Sequence, residues 1–226
     1  MTSKGRFITF EGPEGGGKST HIKCLTERLK GLGHPVILTR EPGGTLTGET
    51  IRGILQHEQS GEAICPEAEL FLFEASRAQL VQTVILPALN KGVWVLCDRY
   101  IDSTSAYQGY GRGFDLETIF TLNKYATGTC VPDLTIIMEI DVKTGRERLH
   151  QRNLAQNTTS DRIEREASDF HERVHRGFLE LAKRWPDRIK VVNAMREPEA
   201  VAADIWALVK VISEVRDSEF RNQHAE

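Results

Sequence analysis

The chain has 226 residues, 39% hydrophobic and 27% charged, with a formal net charge of −3. That apolar share supports a buried core and excludes a disordered chain, while the near-neutral balance gives no polycationic footprint, so no nucleic acid is expected as partner. No run of about 18 apolar residues is present, so no membrane partner is expected, and four scattered cysteines (Cys24, Cys65, Cys97, Cys130) without C-x-x-C spacing point away from zinc or a disulfide frame and toward the cytoplasm.

Arg6 to Phe10 is short, apolar and β-branched, and predicts a buried strand. Gly12-Pro13-Glu14-Gly15-Gly16-Gly17-Lys18-Ser19-Thr20 follows and fits G-x-x-x-x-G-K-[ST] without a mismatch. Ile22, Leu25 and Leu29 then recur at helical spacing, predicting a helix from Lys18 to about Leu32. Strand, loop and helix together are the context this motif needs. Glycines let successive backbone N–H groups turn inward as an anion nest. The helix start adds its positive dipole end. Lys18 reaches outer phosphates as a compact charge, and the Ser19 hydroxyl can ligate Mg²⁺. The bland alternative is a glycine-rich turn with a solvated lysine; the flanking elements favour a nucleoside triphosphate.

Further along, Pro35 to Thr39 predicts a second strand, leading into the turn-rich Arg40-Glu41-Pro42-Gly43-Gly44-Thr45. A short helix is expected from Thr47 to His57, carrying Arg52, and Gln56 to Cys65 reads as irregular. Pro66 opens a long helix expected to reach Asn90. Its apolar residues wrap more than one face, which fits either a homodimer interface or a second helix layer. Val93 to Cys97 predicts the third strand, delivering Asp98-Arg99-Tyr100 at its carboxyl end, and Gly109 to Gly113 reads as a flexible loop. Asp115 can cap a helix to about Thr127. Leu134 to Ile140 is the fourth expected strand, Val142 to Arg152 a helix, and Asn153 to Ser160 a mobile loop. A charged helix from Ser160 or Asp161 to Trp185, a strand at Ile189 to Val192, and a helix from Pro198 to Val215 complete the chain, with a fraying tail from Arg216.

Five apolar strands alternating with helices predict an α/β protein: a single three-layer P-loop domain whose five-stranded parallel sheet carries helices on both faces. Ligands in such sheets gather at the carboxyl ends of the strands. That rule brings together the phosphate loop, Arg40 to Thr45, and Asp98 onward. Asp98 stands where a P-loop protein needs an acid near Mg²⁺. Arg99 beside it suits a second phosphate, against the plainer reading of a surface ion pair. Phe73 and Arg77 share a helix face; a ring to stack on a base and a donor to its carbonyl is one reading, plain core the other. Lys143 to Arg165 carries Arg146, Arg148, Arg152, Arg162 and Arg165 with interleaved acids. This is either a solvated, salt-bridged pair of helices or a lid that excludes water and brings arginines to a transferring phosphoryl group.

Phe10-Glu11-Gly12 with the P-loop, Thr39 to Thr45, Phe73 to Arg77, Asp98 to Tyr100, Ser105 to Gly109 and Asp161-Arg162-Ile163-Glu164 together closely resemble bacterial thymidylate kinases. The resemblance spans Arg6 to about Ile212. It implies phosphoryl transfer from MgATP to dTMP, giving dTDP and ADP. It places Glu14 at the sugar 3′-hydroxyl, Arg99 on the dTMP phosphate with Arg40 or Arg52 as helpers, Phe73 against thymine and Arg77 on its carbonyl. Pro42, Asp98, Thr104 and Gln108 fall in the same pocket, and Tyr107 where it crowds a ribose 2′-hydroxyl. Relatives of one kind carry an arginine directly after the P-loop carboxylate. Gly15 stands there, so the chain resembles the kind whose lid supplies it, with Arg152 the first choice and Arg148 the second. Two rivals share the P-loop: a deoxynucleoside kinase acting on thymidine, which needs a general base, and an ATPase switch, which needs a water-positioning residue.

Overall fold

β1 (Phe7–Glu11) is buried at every position, as a strand covered by helices on both faces must be. The computed structural model describes residues 5–57 and 62–223, so part of the irregular stretch expected between Gln56 and Cys65 lies outside the described residues. After β1 come α1 (Lys18–Gly31), β2 (Val36–Arg40), α2 (Leu46–His57), α3 (Pro66–Leu80), α4 (Leu86–Asn90) and β3 (Trp94–Asp98). Then follow α5 (Ile101–Thr104), α6 (Leu116–Thr127), β4 (Leu134–Glu139), α7 (Val142–Gln156), α8 (Ser168–Arg184), β5 (Ile189–Asn193) and α9 (Pro198–Gln223).

The five strands form one parallel sheet in the order β2-β3-β1-β4-β5. The chain reverses its direction of travel across the sheet beside β1, which opens a crevice at the strand ends there. Registers put Phe10 opposite Asp98, and Asp98 opposite Arg40, so the loops after β1, β2 and β3 leave the sheet side by side. Ile8, Phe10, Leu96, Ile136 and Met138 pack on α1 and α9 through Leu25, Leu29, Val201 and Ile205. On the other face Phe7, Val95 and Cys97 meet Leu80, Val81, Ile85 and Leu89, and Ile137 and Ile189 meet Phe170, Val174 and Phe178 of α8. The expected three layers and five parallel strands are present.

Four expectations of detail are corrected. The helix from Pro66 is not continuous to Asn90: Val81–Ile85 widens into a π-helical turn. Pro87 lacks the N–H an α-helix would use there, and its ring would crowd the turn before it. Gly109 to Gly113 is not a flexible loop; Ser105–Gly111 is a second π-helical turn. Gly109 and Gly111 are packing positions, since a Cβ would stand 2.6 Å from Leu116 and 2.7 Å from Phe170. α7 runs on through Gln156, and α8 begins only at Ser168. Between them Asp161 and Glu164 cap each other's backbone N–H groups reciprocally, a helix-start signature that here builds one turn and stops. Finally, α9 extends to Gln223, past the Val215 expected as its end.

Candidate active site

Lys18 begins α1 directly after the phosphate loop, three of whose positions have a backbone that favours glycine. Gly12, Gly15 and Gly17 have φ of +116°, +75° and +78°, a region closed to most side chains. A Cβ on Gly12 would meet the carbonyl oxygen of Met138 at 2.6 Å, and one on Gly15 that of Gly145 at 2.3 Å. Lys18 is 7% exposed, and its Nζ donates to the carbonyls of Gly12 (3.1 Å) and Pro13 (2.7 Å). Burial, then the charge of Arg99, lowers its pKa, while Glu14, Asp98 and Glu11 oppose that. A lysine in such surroundings is short of anionic partners, which phosphate oxygens would supply. Ser19 Oγ donates to Asp98 Oδ2 at 3.2 Å. Two hard oxygens this close, at the mouth of the loop, fit a magnesium ion, which needs only one or two protein oxygens beside phosphates and water.

Arg99 leaves the end of β3 with φ +71°, turning its guanidinium back over the phosphate loop. It pairs with Glu14 Oε1 and donates to the Gly12 carbonyl and Ser103 Oγ, each at 3.1 Å. Its guanidinium carbon lies 5.1 Å from the centre of the Tyr107 ring. Burial alone would raise the Glu14 pKa, but Arg99, Lys18 and Arg152 together hold it at about 2. Beneath Arg99 lies a polar layer. Glu11, fully buried, accepts from the Tyr100 N–H (2.7 Å) and Ser103 Oγ (2.5 Å). Burial and the nearby Asp102 push its carboxyl up to about 8. Asp102 itself is paired with Arg188 at 2.6 Å.

Across the crevice, Arg52 donates to the Pro42 carbonyl at 3.0 Å, and Arg40 pairs with Glu49 at 2.8 Å. Burial, then the charges of Arg40 and, more weakly, Arg99, lowers the Arg52 pKa. Three guanidiniums thus stand within electrostatic reach of one another, a concentration of positive charge that an anion would relieve. Arg77 is fully buried. Nε and Nη2 bond Glu41 at 2.8 and 2.6 Å, and Nη1 bonds Glu74 at 2.8 Å and Asn123 at 2.7 Å. Four of its five N–H groups are thereby committed, leaving one on Nη2. Thr104 Oγ1 and Glu41 Oε1 are buried without hydrogen-bond partners.

One cavity of about 510 Å³ joins these parts. Glu14, Gly15, Gly17, Lys18, Ser19 and Thr20 line it from the loop side, and Asp98 and Arg99 from β3. Arg40, Pro42, Arg52, Phe73, Arg77, Thr104, Tyr107 and Gln108 line the far side, and Arg148 and Arg152 reach it from α7. Gly12, Pro13 and Gly16 shape the loop without lining the cavity. Arg152 pairs with Glu164 at 3.2 Å, while Arg148 donates to the Ala194 carbonyl at 3.1 Å. His150 and Arg146 are exposed and do not line it. Sequence reasoning gave no site role to Ser103, Asp161, Ile163 and His171, which also line the cavity. It likewise missed Glu11 and Glu69, whose roles are set by contacts from distant elements. Only Glu11 carried a hint, an acid inside an apolar strand.

A glycine cradle with a buried lysine faces a cluster of guanidiniums and an aromatic pocket across one crevice. This defines the class: an α/β P-loop phosphotransferase. The chain belongs to the thymidylate kinase family, whose model matches residues 10–205. It is 48% identical over 215 residues to the thymidylate kinase of Pelotomaculum thermopropionicum, covering 95% of this chain and 96% of that one. It is also 48% identical to that of Gloeobacter violaceus, covering 91% and 94%. The crystal structure of thymidylate kinase from Ehrlichia chaffeensis superposes with a TM-score of 0.72 at 33% identity, over 91% of this chain and 99% of that one.

Proposed function

We infer that the protein transfers the terminal phosphoryl group of ATP, bound with Mg²⁺, to dTMP, giving dTDP and ADP. The observation that carries this is the single cavity shared by Lys18, Arg99 and Phe73. The acceptor is itself a phosphate, and two anions brought end to end repel. Lys18 on the donor side and Arg99, Arg40 and Arg52 on the acceptor side offset that repulsion and hold the two in line. Magnesium, when bound at Ser19 and Asp98, neutralises charge on the donor phosphates. Glu14, kept ionised by Arg99, accepts a hydrogen bond from the acceptor's 3′-hydroxyl. Phe73 stacks on the base, and the uncommitted Arg77 N–H and the unpartnered Thr104 hydroxyl face its polar edge. Tyr107, fixed under Arg99, fills the space of a 2′-hydroxyl.

The segment near 143–165 is the lid. Arg152, drawn toward Glu14 and steadied by Glu164, is the arginine that meets charge developing on the transferred group; Arg148 is the second candidate. Closing this segment excludes water, which would otherwise take the phosphoryl group. The exposed Phe71 on α3 and Tyr125 on the adjoining α6 support a homodimer through those helices. Among the described residues no helix is long and apolar enough to cross a membrane. The free thiols of Cys24, Cys65 and Cys97 support a cytoplasmic setting. An ATP-consumption assay across dTMP, dUMP, thymidine, dGMP and no acceptor tests the function. Turnover is expected with dTMP; equal turnover with thymidine or with no acceptor would overturn it.

A further inference from the structure

Glu69 of α3 is 1% exposed, yet three side chains from two separate parts of the molecule converge on its carboxylate. Oε1 accepts from Gln108 Nε2 at 2.8 Å and from Arg112 Nε at 3.2 Å. Oε2 accepts from Arg112 Nη2 at 3.0 Å and from Arg162 Nη2 at 2.5 Å. Burial would raise its pKa, but these bonds outweigh burial and hold it below the ordinary range, so the group is an anion.

The two ends of this junction differ in kind. Gln108 lines the cavity beside Tyr107, on the side assigned to the acceptor base. Arg162 belongs to the turn between α7 and α8, and it also donates through Nε to the Leu55 carbonyl at 3.1 Å. The same turn holds Glu164, the partner of Arg152. The chain of contacts therefore runs from the base pocket through one carboxylate to the turn that orients the lid arginine.

We propose that Glu69 is a positioning residue that couples occupation of the acceptor pocket to closure of the lid turn over the donor phosphates. A base resting against Gln108 fixes that amide, and the amide fixes Oε1. Oε2 is then presented where Arg162 needs it, and the turn settles with Glu164 holding Arg152 toward the loop. With the pocket empty, Gln108 is freer and the seat of Arg162 looser. The lid then spends more time away from the donor. A ligand shifts such an equilibrium only through differential contacts, and this carboxylate supplies them. The proposal rests on the assignment of the Gln108 side of the cavity to the acceptor.

The test is calorimetric binding of a non-hydrolysable ATP analogue with Mg²⁺, with and without saturating dTMP. In the unaltered protein, dTMP should tighten the analogue about 10-fold. Glu69→Gln, which keeps shape but removes the charge, should cut that ratio to below about 2-fold while dTMP alone still binds. Arg162→Gln, in the turn between α7 and α8, should do the same and decides the matter if Glu69→Gln does not fold. A ratio left undiminished while both affinities or the Tm fall would mean a merely structural role and overturn the proposal. So would an unaltered protein that binds dTMP without any tightening. Failure of dTMP to bind the unaltered protein at all would overturn the acceptor assignment, and this coupling with it.

Discussion

Gly15 and Gly145 press backbone against backbone, so that a Cβ on Gly15 would lie 2.3 Å from the Gly145 carbonyl oxygen. The contact joins the phosphate loop to α7, and it accounts for glycine where some relatives carry an arginine. Gly15 also sits at φ +75°, where a side chain would add strain of about 1–3 kcal/mol. An arginine cannot enter there without pushing α7 away, and α7 carries Arg148 and Arg152. Gly15→Arg should therefore lower kcat/KM for ATP by about 100-fold or more, a loss of the size expected when the loop and α7 are both displaced. Combining it with Arg152→Ala should restore nothing. Steady-state kinetics check this; any gain in the double variant over Arg152→Ala would show that the two positions are interchangeable in this chain.

Arg99 holds Glu14, the Gly12 carbonyl and Ser103 at once. Arg99→Ala should lower kcat/KM for dTMP by about 100- to 1,000-fold, the scale of losing a donor to developing charge. Arg99→Lys should recover only part, because an ammonium cannot bond in a planar fork. Initial-rate measurements over a range of dTMP concentrations decide it, and wild-type values for Arg99→Ala would remove the clamp from the account.

The sheet was legible because its strands are short apolar runs bounded by glycine and proline, and because a parallel sheet tolerates little else. The phosphate loop was legible because backbone geometry restricts it to glycine. Phe73 and Arg99 could be placed by a strand-end rule and a helix period. What stayed hidden depends on contacts across the fold. Nothing local to Glu69 announces that Gln108, Arg112 and Arg162 will meet on it. Asp161-Arg162-Ile163-Glu164 reads as a helix start, and it does form a cap. The helix stops after one turn, as Arg162 is drawn to Leu55 and Glu69. The π-helical turn at Ser105–Gly111 was equally invisible, since its glycines pack against the distant Leu116 and Phe170, whereas Pro87 was a local signal for the one at Val81–Ile85.

Arg152 is half-exposed, yet it lines the cavity and its charge is felt at Glu14. If it acts on the transferred phosphoryl group, Arg152→Ala should lower kcat by about 100-fold while KM for ATP moves less than about 3-fold. Arg148→Ala, whose guanidinium is tied to the Ala194 carbonyl, should have the smaller effect on kcat. Steady-state rates with ATP varied at saturating dTMP separate the two. A rise in KM with kcat unchanged would make Arg152 a residue that binds ATP only.

Glu11 supports Arg99 from below, accepting from the Tyr100 N–H and Ser103 Oγ while facing Asp102. Burial, with Asp102 second, lifts its carboxyl from 4.5 to about 8, so the folded protein favours the protonated form. The sign follows: the unfolded chain ionises first as pH rises, and stability from this group is present below the ordinary value and lost as pH climbs through about 8. Glu11→Gln removes the titration, and its amide oxygen can still accept the Tyr100 N–H. Chemical unfolding at pH 5.5 and 8.5 should show wild-type stability falling more than that of Glu11→Gln, by on the order of 2 kcal/mol. The difference between their slopes reports Glu11 together with the Asp102 charge it faces. Parallel slopes would mean that Glu11 is ionised in the folded protein throughout, and that its bonds to Tyr100 and Ser103 hold a charge.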